Sequence, residues 1–154
     1  VTLGPAINEA DLQAPANVVM RQYVSHAQVF PQADLVITHA GHGTVIRALA
    51  HGVPLLCMPV GRDQPGNAAR VTARGAGLKL APTAESKAIR QAVQKILASP
   101  TYREKARQLG RNIVQHAAAS SAVTELESIA RRHQLQATKN PRSAVDLPAG
   151  YVLA

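Results

Sequence analysis

Residues 38–44 read Thr-His-Ala-Gly-His-Gly-Thr and follow directly on the apolar run Leu35-Val36-Ile37. Gly41 and Gly43 carry no side chain, so a ligand can come close to the backbone there. Thr44 stands where a helical pattern starts. The first amides of a helix have no partner inside it and, with the helix dipole, form a ready site for an anion, phosphate above all. His39, just upstream, adds a donor that would stabilise negative charge on a departing diphosphate. The same residues also fit a plain helix entry with turn glycines and a satisfied core histidine. Gly41-His42-Gly43 lacks the third glycine of a dinucleotide fingerprint. On these seven residues alone both readings stand.

A second group lies at residues 61–67, Gly-Arg-Asp-Gln-Pro-Gly-Asn. Asp63 and Gln64 set a carboxylate beside an amide, a pair able to grip vicinal hydroxyls as a sugar presents them. A surface turn is the alternative, since Asp and Gln are common in turns. A third group is Tyr23-Val24, where an aromatic ring at a strand end could hold a flat base by stacking and backbone hydrogen bonds. A lone Tyr on a strand is more often part of a core.

The elements around these groups alternate. Val1-Thr2-Leu3 is a strand remnant, residues 4–17 a loop, and 18–24 a strand rich in β-branched residues. Residues 26–33 suit a short helical turn, and 34–39 a continuous apolar strand of the kind a parallel sheet buries on both faces. Residues 44–51 have helical spacing, ended by Gly52 and Pro54. Strand 54–60, turn 61–66, helix 67–75 and strand 77–81 follow. Three helices are then expected at about 85–98, 101–116 and 120–133. Their charges, Arg103 among them, read as solvated surface. Residues 134–154 show no periodicity and read as an irregular tail after a single domain over 1–133. The alternation predicts an α/β fold, a Rossmann-like parallel sheet with helices on both faces and extra C-terminal helices. Ligands of such sheets bind beyond the carboxyl ends of the strands. All three groups fall there.

Composition narrows the partners. The chain has 154 residues, 46% of them hydrophobic, which is enough for one real core. Its net charge of +8 favours anionic ligands. Nucleic acid is not the expected partner, because the basic residues are scattered and stacking aromatics are scarce. Cys57 is the only cysteine and sits in an apolar run, so it reads as a buried small hydrophobe in a reducing, cytoplasmic setting. The histidines lack ligand spacing, so no metal is expected. No run approaches the ~18 apolar residues of a membrane helix. The chain begins on Val1, on what reads as the second half of a strand, so a fragment or processed form is expected.

Residues 23–80 resemble the C-terminal, nucleotide-sugar donor-binding domain of the UDP-glycosyltransferase-like superfamily of GT-B fold, nearest the bacterial macrolide and glycopeptide antibiotic enzymes. The resemblance rests on His-x-Gly-x-Gly-Thr at 39–44, Gly-Val-Pro at 52–54, Asp-Gln at 63–64 and Asn-Ala-x-Arg-Val at 67–71, in that order. It implies that His39, Gly41, Gly43 and Thr44 bind the donor diphosphate. Asp63 and Gln64 would hold the transferred sugar, and Tyr23 and Val24 would frame the base. Asn67 would order the turn or cap its helix. The donor would be a UDP- or dTDP-sugar, no cofactor would be needed, and the acceptor would be a small molecule.

Two positions depart from the pattern. Arg47 stands where many relatives have a Glu that binds ribose hydroxyls, and Ser25 stands where a Pro is usual. An Arg offers donors and no acceptor, so either the ribose is held otherwise or the donor lacks a 2′-hydroxyl. The family's catalytic base is a His of the N-terminal acceptor domain, so no catalytic residue is expected in this chain. The chain is therefore expected to be the donor half of an inverting glycosyltransferase, inactive by itself. The rival readings are a non-catalytic nucleotide-binding module and another sugar-nucleotide enzyme, such as a 2-epimerase or an N-acetylglucosaminyl transferase.

Overall fold

The computed structural model of the chain describes residues 1–5, 7–118 and 121–139. The chain divides into two units, Val1–Gln115 and His116–Ala154. The first unit holds strands β1 (Val36–Thr38), β2 (Leu55–Cys57) and β3 (Gly77–Lys79). Around them lie helices α1 (His26–Val29), α2 (His42–Ala50), α3 (Gln64–Ala73) and α4 (Ser86–Ala98). Helix α5 (Pro100–Ala118) lies mostly in this unit. In the second unit α6 spans Ser121–Lys139.

The sheet is parallel, in the order β1-β2-β3, with Leu56 level with Ile37 on one side and Leu78 on the other. Side chains of a strand alternate between faces. Leu55 and Cys57 join Val45, Leu49, Val71 and Ala106 in one cluster, whereas Leu56 packs with Ala92 and Ile96 in another. Helices α2, α3 and α5 thus cover one face and α4 the other. The parallel sheet covered on both faces is the architecture the alternating pattern predicts. The layers are tight: a Cβ on Gly77 would run into the Leu55 carbonyl oxygen. Gly52 and Gly75 close α2 and α3 at φ 68° and 69°, in the left-handed region where glycine has no steric cost.

Five details differ from the sequence reading. Residues 18–24 form no regular strand. Their pairing is one isolated parallel bridge, Thr2 with Arg21, and Val19 and Tyr23 stay 62% and 83% exposed rather than packing onto the sheet. Helix α2 starts at His42, two residues before Thr44, because Gly41 at φ −61°, ψ 141° already serves as its N-cap. Helix α3 starts at Gln64, since Pro65 suits the first helical turn. Helix α6 runs through Lys139, past residue 134 where an irregular tail is expected; residues 140–154 lie outside the described residues. Arg103 is also more than solvated surface. It donates to Asp34 Oδ1 at 2.9 Å and to the Ala33 carbonyl at 3.2 Å, pinning α5 to the segment that enters β1. No described helix is long and apolar enough to cross a membrane.

Candidate functional site

Because β1 and β2 are parallel neighbours, the loops that leave them emerge at the same edge of the sheet. Helix α2 follows the first loop and α3 the second, so both helices begin at that edge. The β1–α2 loop turns sharply at Ala40, a non-glycine at φ 67°, fully buried. Its N–H donates to Thr38 Oγ1 at 3.2 Å, which closes a local turn at the strand end. The first helical bond of α2 runs from the Val45 N–H to the Gly41 carbonyl at 3.1 Å. The N–H groups of His42, Gly43 and Thr44 therefore precede the intrahelical ladder and are free for an anion.

His39 and His42 are exposed and Thr44 half-buried. The His39 ring lies over Gly41: a Cβ there would sit 2.8 Å from His39 Nε2. Gly43 is open, with only Arg47 Nη1 near the Cβ position, at 3.9 Å. That guanidinium thus reaches back over the first turn of α2. It has no hydrogen bond or ion pair among the described residues.

The same Arg47 lines a pocket of about 490 Å³ with Tyr23, Val24, Ser25, His26 and His51. So Tyr23 and Val24 share a pocket with the second half of α2, through Arg47 and the C-cap His51, although the segment carrying them is not a regular strand. Aromatic packing fixes that segment. His26 stacks on Phe30 at 4.6 Å and 14°, and Phe30 meets the His51 ring edge-on at 6.3 Å. His26 Nδ1 is buried without a hydrogen-bond partner among the described residues. Read from sequence, His26 and His51 are ordinary helix or surface positions; the fold turns both toward one pocket.

On the second loop, Arg62 takes φ 58° and delivers Asp63 to the edge, exposed. Asp63 Oδ2 accepts from Asn67 Nδ2 at 2.7 Å. Gln64 is turned to its own loop: its Oε1 accepts from the N–H groups of Val60 at 2.8 Å and Gly61 at 3.1 Å. Its Nε2 is the part left for a ligand. Asn67, buried, donates from the same Nδ2 to the Ala40 carbonyl at 3.1 Å. The two loops are therefore joined.

Thr38 and Ala40 are supporting residues the sequence does not assign to the site; Asn67, expected to order its turn or cap its helix, also reaches the first loop. A polar residue inside an otherwise amphipathic helix was the available signal for Asn67. Cys57 takes no part: burial in β2 raises its thiol from 9.0 to about 11, so it is neither an acid–base group nor a thiolate at neutral pH. Among the described residues no three His, Cys, Asp or Glu side chains gather to hold a metal.

Comparison with known proteins bears on what such an edge is for. The profile of the family described as Erythromycin biosynthesis protein CIII-like, C-terminal domain, matches residues 2–129. Oleandomycin glycosyltransferase of Streptomyces antibioticus is 31% identical over 96% of this chain and 35% of its own length. 4'-Demethylrebeccamycin synthase of Lentzea aerocolonigenes is 35% identical over 75% of this chain and 28% of its own. Among solved structures, the calicheamicin glycosyltransferase CalG4 superposes with a TM-score of 0.76 at 32% identity, over 84% of this chain and 34% of that one. The glycosyltransferase VinC, solved in complex with dTDP, gives 0.71 at 27% identity, over 78% and 31%. The chain spans about a third of the length of these relatives.

Proposed function

Since the chain belongs to the Erythromycin biosynthesis protein CIII-like C-terminal domain family, we propose that it is the nucleotide-sugar-binding half of an inverting glycosyltransferase. The donor is a nucleoside diphosphate sugar, and the acceptor hydroxyl and general base come from an N-terminal domain. The observation that carries this is the start of α2. Three free backbone amides open α2, the exposed His39 ring lies over Gly41, and the Arg47 guanidinium, unpaired among the described residues, reaches over Gly43 and lines a base-sized pocket. That set suits a pyrophosphate joined to a nucleoside.

In the reaction an acceptor oxygen attacks the anomeric carbon from the face opposite the leaving group. The carbon–oxygen bond to the β-phosphate breaks, and negative charge grows on that phosphate. The amides of His42, Gly43 and Thr44, with His39, stabilise this charge where it develops. Arg47 adds a full positive charge at short range. Asp63 Oδ1 and Gln64 Nε2 are the groups left to hold sugar hydroxyls, one accepting and one donating. Tyr23, 83% exposed, is free to stack on a base across the pocket from Arg47.

That VinC was solved with dTDP accords with a diphosphate nucleotide as ligand. Arg47 offers donors alone, so a 2′-deoxyribose loses nothing in its company. The test is calorimetric titration of the chain with UDP, dTDP, their sugars, and the nucleosides alone. Diphosphates should bind at least tenfold more tightly than nucleosides. Equal affinity for uridine and UDP, or for thymidine and dTDP, would overturn the reading.

A further inference from the structure

Resting on the donor-site reading above, the geometry points to Asn67 as a positioning residue that fastens the sugar-facing turn to the phosphate-facing loop. It is the one buried polar side chain among the described residues, at 7% exposure. Both protons of its Nδ2 are committed, one to the Ala40 carbonyl at 3.1 Å and one to Asp63 Oδ2 at 2.7 Å. Its Oδ1 accepts from Arg70 Nη1 at 3.4 Å, and its backbone N–H donates to the Asp63 carbonyl at 3.1 Å. One amide group therefore bridges loops that leave two different strands.

Each loop contains a non-glycine in the left-handed region, Ala40 at φ 67° and Arg62 at φ 58°. Such conformations are strained for a residue with a Cβ and persist where the surroundings enforce them. On the first loop the Asn67 bond to the Ala40 carbonyl enforces it from the neighbouring loop, beside the local bond from the Ala40 N–H to Thr38 Oγ1. On the second, the bond to Oδ2 orients the Asp63 carboxylate and leaves Oδ1 without a partner among the described residues, free for a sugar hydroxyl. A helix merely filling space with a satisfied Asn would need no bond to either loop. Here the bonds reach one residue before the N-cap of α2 and one carboxylate of the sugar turn. The consequence is that diphosphate binding and sugar recognition share a support, and removing it weakens both.

The experiment uses Asn67→Ala, Asn67→Ser, Asp63→Ala and the Asn67→Ala/Asp63→Ala double variant. Asn67→Ser keeps one proton, so it can serve one loop and not both, and it covers the case that Asn67→Ala fails to fold. Amide hydrogen exchange at Ala40 and Val45, whose N–H groups donate to Thr38 Oγ1 and the Gly41 carbonyl, reads the first loop without any ligand. The ratio of affinities for dTDP-glucose and dTDP reads the sugar turn. Folded Asn67 variants should exchange at Ala40 and Val45 at least several-fold faster than the parent and bind dTDP several-fold more weakly. Their sugar ratio should fall toward that of Asp63→Ala, with no further fall in the double variant. Asp63→Ala, changed at an exposed position, should keep its fold and still speed exchange at Ala40 on the other loop. Parental exchange at Ala40 and Val45 in a folded Asn67 variant, or losses that simply add in the double variant, would overturn the link. Faster exchange together with no nucleotide binding by the parent at millimolar concentration would uphold the link and overturn the donor-site reading.

Discussion

The Nε2 of His39 lies 2.8 Å from the point where a Cβ on Gly41 would be. The glycine is what lets the ring fold over the loop beside the free amides. Gly41→Ala should push the ring aside while leaving the fold almost untouched, because Gly41 has ordinary extended angles and the obstacle is the end of a mobile side chain. We expect about a tenfold loss in nucleoside diphosphate affinity, ~1.4 kcal/mol, with unfolding stability changed by less than about 1 kcal/mol. Calorimetry and urea unfolding on the same samples check both. His39→Ala should lose a similar amount, and the double variant little more.

Gly43→Ala should separate stability from binding in the opposite sense. A Cβ there meets only Arg47 Nη1 at 3.9 Å, an ordinary contact. Alanine in a helix is favoured over glycine by roughly 0.5–1 kcal/mol, so the midpoint of thermal unfolding should rise. The added methyl would stand over the amides that face the ligand, so diphosphate affinity should drop several-fold. A variant that gains stability and binds like the parent would show that nothing approaches the backbone at this position.

Arg47→Ala tests whether the guanidinium serves the phosphates or the nucleoside sugar. A phosphate contact is electrostatic and exposed, so it should weaken as salt rises. The variant should bind UDP and dTDP about tenfold less tightly at low salt, with equal losses for the two, and the deficit should shrink at 0.5 M salt. Calorimetry at two ionic strengths gives the answer. Unequal losses would assign Arg47 to the ribose instead.

Cys57 gives the fold a pH signature. Its thiol ionises at 9.0 in the ordinary case and at about 11 when buried here, because burial penalises the thiolate. The unfolded chain thus loses its proton first. Between these two values the folded state holds more protons, and stability falls as pH rises. The contribution is complete below pH 9 and is lost progressively up to about pH 11. Urea midpoints of Cys57→Ala should lack this component of the alkaline decline. Maleimide should label the parent at neutral pH only as fast as it unfolds.

Much of this was legible from residue type and order. Three apolar runs divided by helical spacing gave a parallel sheet, and the glycine and Asp-Gln loops had to leave neighbouring strands once that sheet was assumed. Strand-end position also led to Tyr23 and Val24, although residues 18–24 looked stronger as a strand than one isolated bridge with Thr2 bears out. β-Branched composition reports a preference, and pairing needs a partner along the whole segment. Helix starts were off by two or three residues for a related reason. Gly41 and Pro65 look like loop residues, yet each is compatible with the first turn of a helix. What the sequence hid was the second partner of Asn67: beyond its own turn it reaches Ala40, 27 positions away, and a bond of that span leaves no periodic trace. Arg47 was visible as an oddity. Only its reach back over Gly43 gives it a use.

The plain ordering of the sheet, each strand beside the next one along the chain, has a kinetic consequence. Every pairing closes over a single helix, so the entropy of loop closure stays modest at each step. Leu55–Cys57, buried and flanked on both sides, is the natural nucleus. A nascent polypeptide could dock its strands one after another as they leave the ribosome, without waiting for a distant segment to arrive.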